Sequence, residues 1–188
     1  MKQLLAMAGA VALALGTSLV IAEEAKSGLQ PGQNVGAFFV TKVCGAEGDG
    51  VEVGKNLCYR CKNGRRPQVM VFTRSADAKV VELIKQLDHA IPENEASSLR
   101  AFVNYMGEDQ ASAKTSVEKL ASAAQAKYVP FVVPNEFENG PDDYGINPNA
   151  EVTIIMAKGG VVQANFAATS AKDLDVKAVV EGLQKILN

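Results

Sequence analysis

Apolar positions along this chain change their period several times, and each change marks an element. The run Val69-Met70-Val71-Phe72 lies between polar flanks, the pattern of a central strand covered on both faces. Val80, Val81, Ile84 and Leu87 then recur at spacings of three and four. That predicts a helix over 76–90, with Ser75 as its cap and Pro92 beyond its end. A second strand is expected over 99–106. A second helix should start at Asp109 or Ser112 and bury Val117, Leu120, Ala121, Ala124 and Tyr128. Phe131-Val132-Val133 reads as a third strand. Segment 136–150, rich in Asn, Gly, Pro and Asp, reads as loop or a short helix. Segments 152–157 and 161–168, joined at Lys158-Gly159-Gly160, predict a hairpin. Val176, Val179, Val180, Leu183 and Ile186 predict one amphipathic helix over 174–187.

Ahead of the central run the pattern is less regular. Val and Phe over 35–43 suggest a strand, and four glycines make 44–54 a loop. Segment 57–61 reads as a short return strand, with Asn63-Gly64 as a turn. The order is βαβαβ, a hairpin, then a helix. It predicts an α/β sheet covered by helices, parallel where helices join neighbouring strands.

The N-terminus adds a targeting signal. Lys2 precedes an apolar run over 4–22, and Val20-Ile21-Ala22 meets Glu23-Glu24, as at a signal-peptidase site. The expected division is a secretory signal peptide over 1–22, an extended lead-in over 23–34 and one domain over 35–188. An uncleaved anchor is the alternative. No cysteine directly follows the run, so a lipid anchor is not indicated, and no second long apolar stretch exists. The expected product is exported, periplasmic or extracellular, and off the membrane after cleavage. Net charge is −2 for the whole chain, and without Lys2 there are 18 basic side chains against 21 acidic. That balance gives no reason to expect nucleic acid or a membrane surface as partner.

Export changes the meaning of the cysteines, because disulfides persist in oxidising compartments. There are three, an odd count. Cys58 and Cys61 form a C-x-x-C pair within a basic stretch. Arg60, Lys62 and Arg65 would each favour a thiolate over a thiol. One reading is a redox pair, in which one sulfur attacks a partner protein's disulfide and the other resolves the mixed disulfide. The other is a structural disulfide pinning the loop that leads into the central strand. Cys44 is a candidate third thiol, left over or bridged to Cys58 or Cys61. A Cys₃His zinc set would need His89, which is far off in sequence, and haem attachment needs His where Lys62 stands. The acidic loop of Glu136, Glu138, Asp142 and Asp143 lacks the EF-hand order. No P-loop, dinucleotide fingerprint, G-x-S-x-G or H-E-x-x-H occurs. No cofactor or metal is therefore expected. Lys55, Arg60, Lys62, Arg65 and Arg66 read as a solvated loop or as a dock for an acidic partner.

Three further segments carry a resemblance. Pro31-Gly32-Gln33-Asn34-Val35-Gly36-Ala37-Phe38 looks like a redoxin opening. Val69-Met70-Val71-Phe72 is similar to the strand leading into a redoxin active site. Tyr144-Gly145-Ile146, Thr153-Ile154-Ile155-Met156 and Lys158-Gly159-Gly160 are similar to the family's Y-G-V, P-T and K-x-G segment. In this order they resemble the thioredoxin-like superfamily, redoxin or peroxiredoxin branch, over roughly 32–188. The resemblance implies a central mixed sheet flanked by helices, with an added N-terminal β-hairpin. It also exposes departures. The place of the family's cysteines reads Thr73-Arg74-Ser75-Ala76-Asp77-Ala78-Lys79, and Val152 stands where the cis-proline would be. Cys58 and Cys61 precede the central strand instead, towards the opposite end of such a sheet. The expected function is thiol–disulfide exchange through this displaced pair, with a protein disulfide partner. The alternative is a catalytically silent scaffold or binding module held by a structural disulfide. Oligomeric state is not legible.

Overall fold

A computed structural model describes residues 26–188. The expected signal peptide over 1–22 and the first residues of the lead-in lie outside the described residues. Seven strands form one mixed sheet: β1 (Val40–Cys44), β2 (Asn56–Leu57), β3 (Gln68–Thr73), β4 (Arg100–Tyr105), β5 (Phe131–Pro134), β6 (Val152–Lys158) and β7 (Val161–Ala168). Their spatial order is β2-β1-β5-β4-β3-β6-β7. The centre, β5-β4-β3, is parallel. The two flanks, β2-β1 against β5 and β6-β7 against β3, are antiparallel. The helices are α1 (Tyr59–Asn63), α2 (Ala78–Glu93), α3 (Gln110–Ala124), α4 (Val176–Gly182) and α5 (Gln184–Leu187).

Strand alternation sorts the core into two layers. Val69 and Val71 of β3, Ala101 and Val103 of β4, and Ile154 and Met156 of β6 pack against α2, α3 and α4. Met70, Phe72, Phe102 and Ile155 point to the other face. Among the described residues that face carries no long helix. Phe38, Tyr59, Tyr144 and Ile146 cover it from loops and from α1. Phe38 meets Tyr144 edge-on at 4.9 Å and stacks with Phe102 at 6.0 Å. Ser27 of the lead-in bonds Thr153 at 2.6 Å, and Asn165 donates to the carbonyls of Ser27 and Leu29. The segment before the first strand is thus docked on this face.

Several boundaries differ from the sequence expectation. The return strand over 57–61 is not a strand: β2 ends at Leu57 and a helical turn begins at Tyr59. Cys58 caps that turn through its own sulfur, and Gly64, at φ 63°, ends it by donating to Arg60 and Cys61 carbonyls. The first strand starts at Val40, because Val35 and Phe38 are buried in irregular backbone. Asp77, not Ser75, caps α2, which runs through Pro92 to Glu93. Proline is tolerated there because the helix ends within a residue, where Asn94 bonds back to Ala90. The closing helix is two short ones, broken at Leu183. Gly182 lies there against the ring of Phe166, where a Cβ would come within 2.7 Å.

Candidate functional site

Five residues of helix place the cysteine pair. Cys58 is extended, its sulfur accepts the N–H of Cys61 at 3.0 Å, and its carbonyl accepts from Lys62 at 2.9 Å. One turn of helix therefore holds the two residues 5.2 Å apart between Cα atoms, and their sulfurs are bonded to each other. Their exposures differ. Cys58 is buried at 8 %, whereas Cys61 is exposed. The far end of the turn is tied by Arg66, whose guanidinium donates to the carbonyls of Asn63 (2.8 Å) and Lys62 (2.7 Å).

Tyr59 anchors the turn to the core. Its ring stacks on Phe102 at 5.6 Å, and its hydroxyl donates to Asp49 at 2.6 Å. Asp49 belongs to the glycine-rich loop and pairs with Lys42 at 2.9 Å. Lys42 is almost fully buried. All three of its protons are placed: on Asp49, on the Ala46 carbonyl (3.0 Å) and on the Val51 carbonyl (2.8 Å). Burial, then the bond to Asp49, pushes the Tyr59 phenol far above its usual range, so it stays a donor. This Lys42–Asp49–Tyr59 chain joins β1, the loop and α1. No motif announces it. The available signal was a lysine sharing the inward face of β1 with Val40.

The cations spread around this turn. Arg60 and Arg65 lie over the β6–β7 turn, where a Cβ on Gly160 would be 3.3 Å from Arg60 Nη2 and one on Gly159 3.7 Å from Arg65 Nη2. Arg60 Nε is buried with no hydrogen-bond partner. Lys55, Lys62 and Arg65 are exposed. Lys62 and Arg66, with Arg100 from the start of β4, line a hollow of about 180 Å³ beside Asp49 and Tyr59. Cys44 is a free, half-buried thiol at the end of β1, packed towards α3 with Val43. Burial, then the Glu118 carboxylate, raises its pKa, and Lys42 partly offsets this.

The corner at the C-terminal ends of β3 and β4, where the resemblance implies cysteines, holds no thiol. The Thr73 hydroxyl donates to the Ser75 carbonyl at 2.9 Å and accepts the Ser75 N–H at 3.0 Å. Arg74 donates to the Glu138 carbonyl and to Asn139, so it is committed to the neighbouring loop rather than solvated. A cleft of about 510 Å³ opens beside it, against Tyr105, Ser112 and Glu138. His89 is exposed and pairs with Glu93 at 3.2 Å. Among the described residues no three His, Cys, Asp or Glu side chains cluster as metal ligands.

No family model and no curated protein matches this chain. Solved structures do. AhpC of Mycobacterium bovis is similar over 85% of this chain and 98% of its own, at TM-score 0.61 and 12% identity. A candidate thiol:disulfide interchange protein, DsbE, from Chlorobium tepidum is similar over 85% and 99%, at TM-score 0.59 and 14% identity. Peroxidoxin BcpB of Mycobacterium tuberculosis follows over 84% and 98%, at TM-score 0.56 and 12% identity. At such identities the likeness speaks for the fold. Together with the sheet order and the N-terminal hairpin, it makes this a thioredoxin-like fold, in which the segment Thr73–Lys79 after the central strand contains no cysteine.

Proposed function

We propose that this protein exchanges thiols and disulfides through Cys58 and Cys61, after export directed by the segment 1–22 and with 35–188 as the working domain. The observation that carries this reading is the unequal exposure of one bonded pair. Cys61 is an exposed residue, whereas Cys58 is buried against a backbone N–H that its sulfur already accepts. An incoming thiolate from a partner dithiol attacks the Cys61 sulfur. The Cys58–Cys61 bond breaks and its electron pair passes to Cys58, which leaves as a thiolate held by the Cys61 N–H. A mixed disulfide now joins Cys61 to the partner. The partner's second thiol attacks its own bonded sulfur and releases Cys61. The partner is oxidised to a disulfide, and the pair is left reduced by two electrons and two protons. The same steps reversed reduce a partner disulfide.

The likeness in fold to a candidate thiol:disulfide interchange protein, and to a candidate protein disulfide isomerase of Bacteroides thetaiotaomicron, supports this reading. So does the small ring. Four residues closed by a bridge restrict the unfolded chain by only about 2 kcal/mol, so stapling alone gives a weak reason for the bond. The silent-scaffold reading draws on one observation, the filled corner at Thr73–Lys79. Turnover of a disulfide peptide by wild type, Cys58→Ser and Cys61→Ser separates the two. Wild type should turn over. Cys58→Ser should accumulate a mixed disulfide at Cys61, and Cys61→Ser should do neither. Equal and negligible turnover by all three would leave only the scaffold.

A further inference from the structure

The exchange site sits inside an uncompensated positive patch. Lys55, Arg60, Lys62, Arg65 and Arg66 flank the cysteines in sequence, and Arg100 reaches the same end of the sheet from β4. Among the described residues, the ion pairs are Lys42–Asp49, Lys79–Glu82 and Lys177–Glu181, and neither these nor the His89–Glu93 contact includes any of these six. The nearby carboxylate, Asp49, is fully engaged. One oxygen takes Lys42 and the Val51 N–H, and the other takes Tyr59. Its charge is offset from inside by Lys42, so the hollow between α1 and β4 presents Lys62, Arg66 and Arg100 without a counter-charge. At about 180 Å³ it is smaller than the usual small-molecule site but roomy for one carboxylate side chain. It lies on the far side of the five-residue turn from Cys61, within about one helix diameter, ~10 Å. An extended peptide covers that distance in about three residues.

Resting on the exchange reading above, we infer that the partner is a protein whose reactive cysteines are flanked by acidic residues, one of which seats in the hollow of Lys62, Arg66 and Arg100. The chain as a whole is net negative, at −2. The patch therefore orients an acidic partner towards the sulfur end rather than attracting it everywhere.

The test uses two Cys-x-x-Cys dithiol peptides, one flanked by Glu and the other by Gln at matched positions. The rate at which each reduces Cys58–Cys61 is followed by thiol quenching and mass. At low ionic strength the Glu peptide should react about tenfold faster, as electrostatic steering allows. The advantage should vanish near ~1 M salt, where screening is nearly complete. It should also shrink in Lys62→Gln and Arg100→Gln, which leave the Arg66 caps on α1 intact. A cysteine-free Glu peptide should bind the Cys58→Ser/Cys61→Ser protein more tightly than its Gln counterpart and more tightly than single-stranded DNA. Equal rates for the two peptides at low salt, or an advantage that survives both substitutions, would overturn the inference while leaving exchange in place. Tighter binding of DNA would overturn it too. Failure of both peptides to reduce a bridge that a small neutral dithiol opens would remove the exchange reading, and this inference with it.

Discussion

Replacing Lys42 by Met should loosen the cysteine turn from a distance. The Lys42 side chain is 1% exposed and Asp49 17%, so the pair is largely out of water. Methionine fills most of the space but withdraws three hydrogen bonds. The carbonyls of Ala46 and Val51 lose their donor, and Asp49 keeps only the Val51 N–H and the Tyr59 hydroxyl. Removing one partner of a buried ion pair costs about 3–5 kcal/mol. The partial exposure of Asp49 puts this case at the lower end, about 3 kcal/mol. In a domain of this size that is a fall in Tm of about 6–12 °C. Asp49→Asn should cost a similar amount, because it strands the lysine. The double variant removes both charges, so its loss should fall short of the sum by about 1–3 kcal/mol. Urea unfolding gives the energies. The local consequence is read in the Cys61→Ser background, where alkylation of the buried Cys58 should quicken once Asp49, the acceptor of the Tyr59 hydroxyl, is no longer held by Lys42. The reasoning fails if Lys42→Met costs under about 1 kcal/mol or if the two single losses simply add.

Reducing the Cys58–Cys61 bridge should lower the unfolding free energy by about 2 kcal/mol, the chain-entropy value for so short a ring; melts with and without reductant read it, and a loss above about 5 kcal/mol would favour a structural staple. Gly182→Ala should destabilise by about 1–3 kcal/mol, since its methyl would press on the Phe166 ring; Phe166→Leu should recover part of the loss in the double variant, and an undiminished melt for Gly182→Ala alone would refute the contact. Cys44 is raised above an ordinary thiol by burial and by Glu118, so its alkylation should reach half-maximal rate at higher pH than an unfolded thiol does, and Glu118→Gln should bring that midpoint down. The sign for stability follows from the same shift. Above the unfolded thiol's pKa the unfolded chain binds fewer protons than the native one, so the contribution of Cys44 declines as pH rises through that range.

The elements legible in the sequence are those whose pattern is long. β3 and β6 are continuous apolar runs, and they prove to be the strands paired with each other beside the parallel centre. α2 carries a full amphipathic stripe and α3 carries one as far as Ala124, whereas Tyr128, expected in that stripe, lies beyond the helix end and is exposed. The turn at Tyr59–Asn63 is too short for any period to show. Leu57, Cys58 and Tyr59 in a row imitate a strand, and what decides the outcome is a sulfur acting as a cap, which a residue list does not reveal. The spacing of Cys58 and Cys61 was legible, but the inequality between them was not. It arises because Tyr59 is drawn under the turn by Asp49, turning Cys61 outward, and that pull depends on a lysine seven residues before Asp49 in a glycine-rich loop. Arg74 shows the same limitation. Its partners, Glu138 and Asn139, come from a loop more than sixty residues away, which no local pattern reveals.

The six residues of β3 set a length as well as a register. At about 3.3 Å per residue they separate the sulfur end of the sheet from the Arg74 end by about 20 Å. A partner docked at Cys61, as proposed, would stand a strand's length from the Arg74 cleft. The two ends of the sheet are therefore separate surfaces, and an occupant of one need not touch the other.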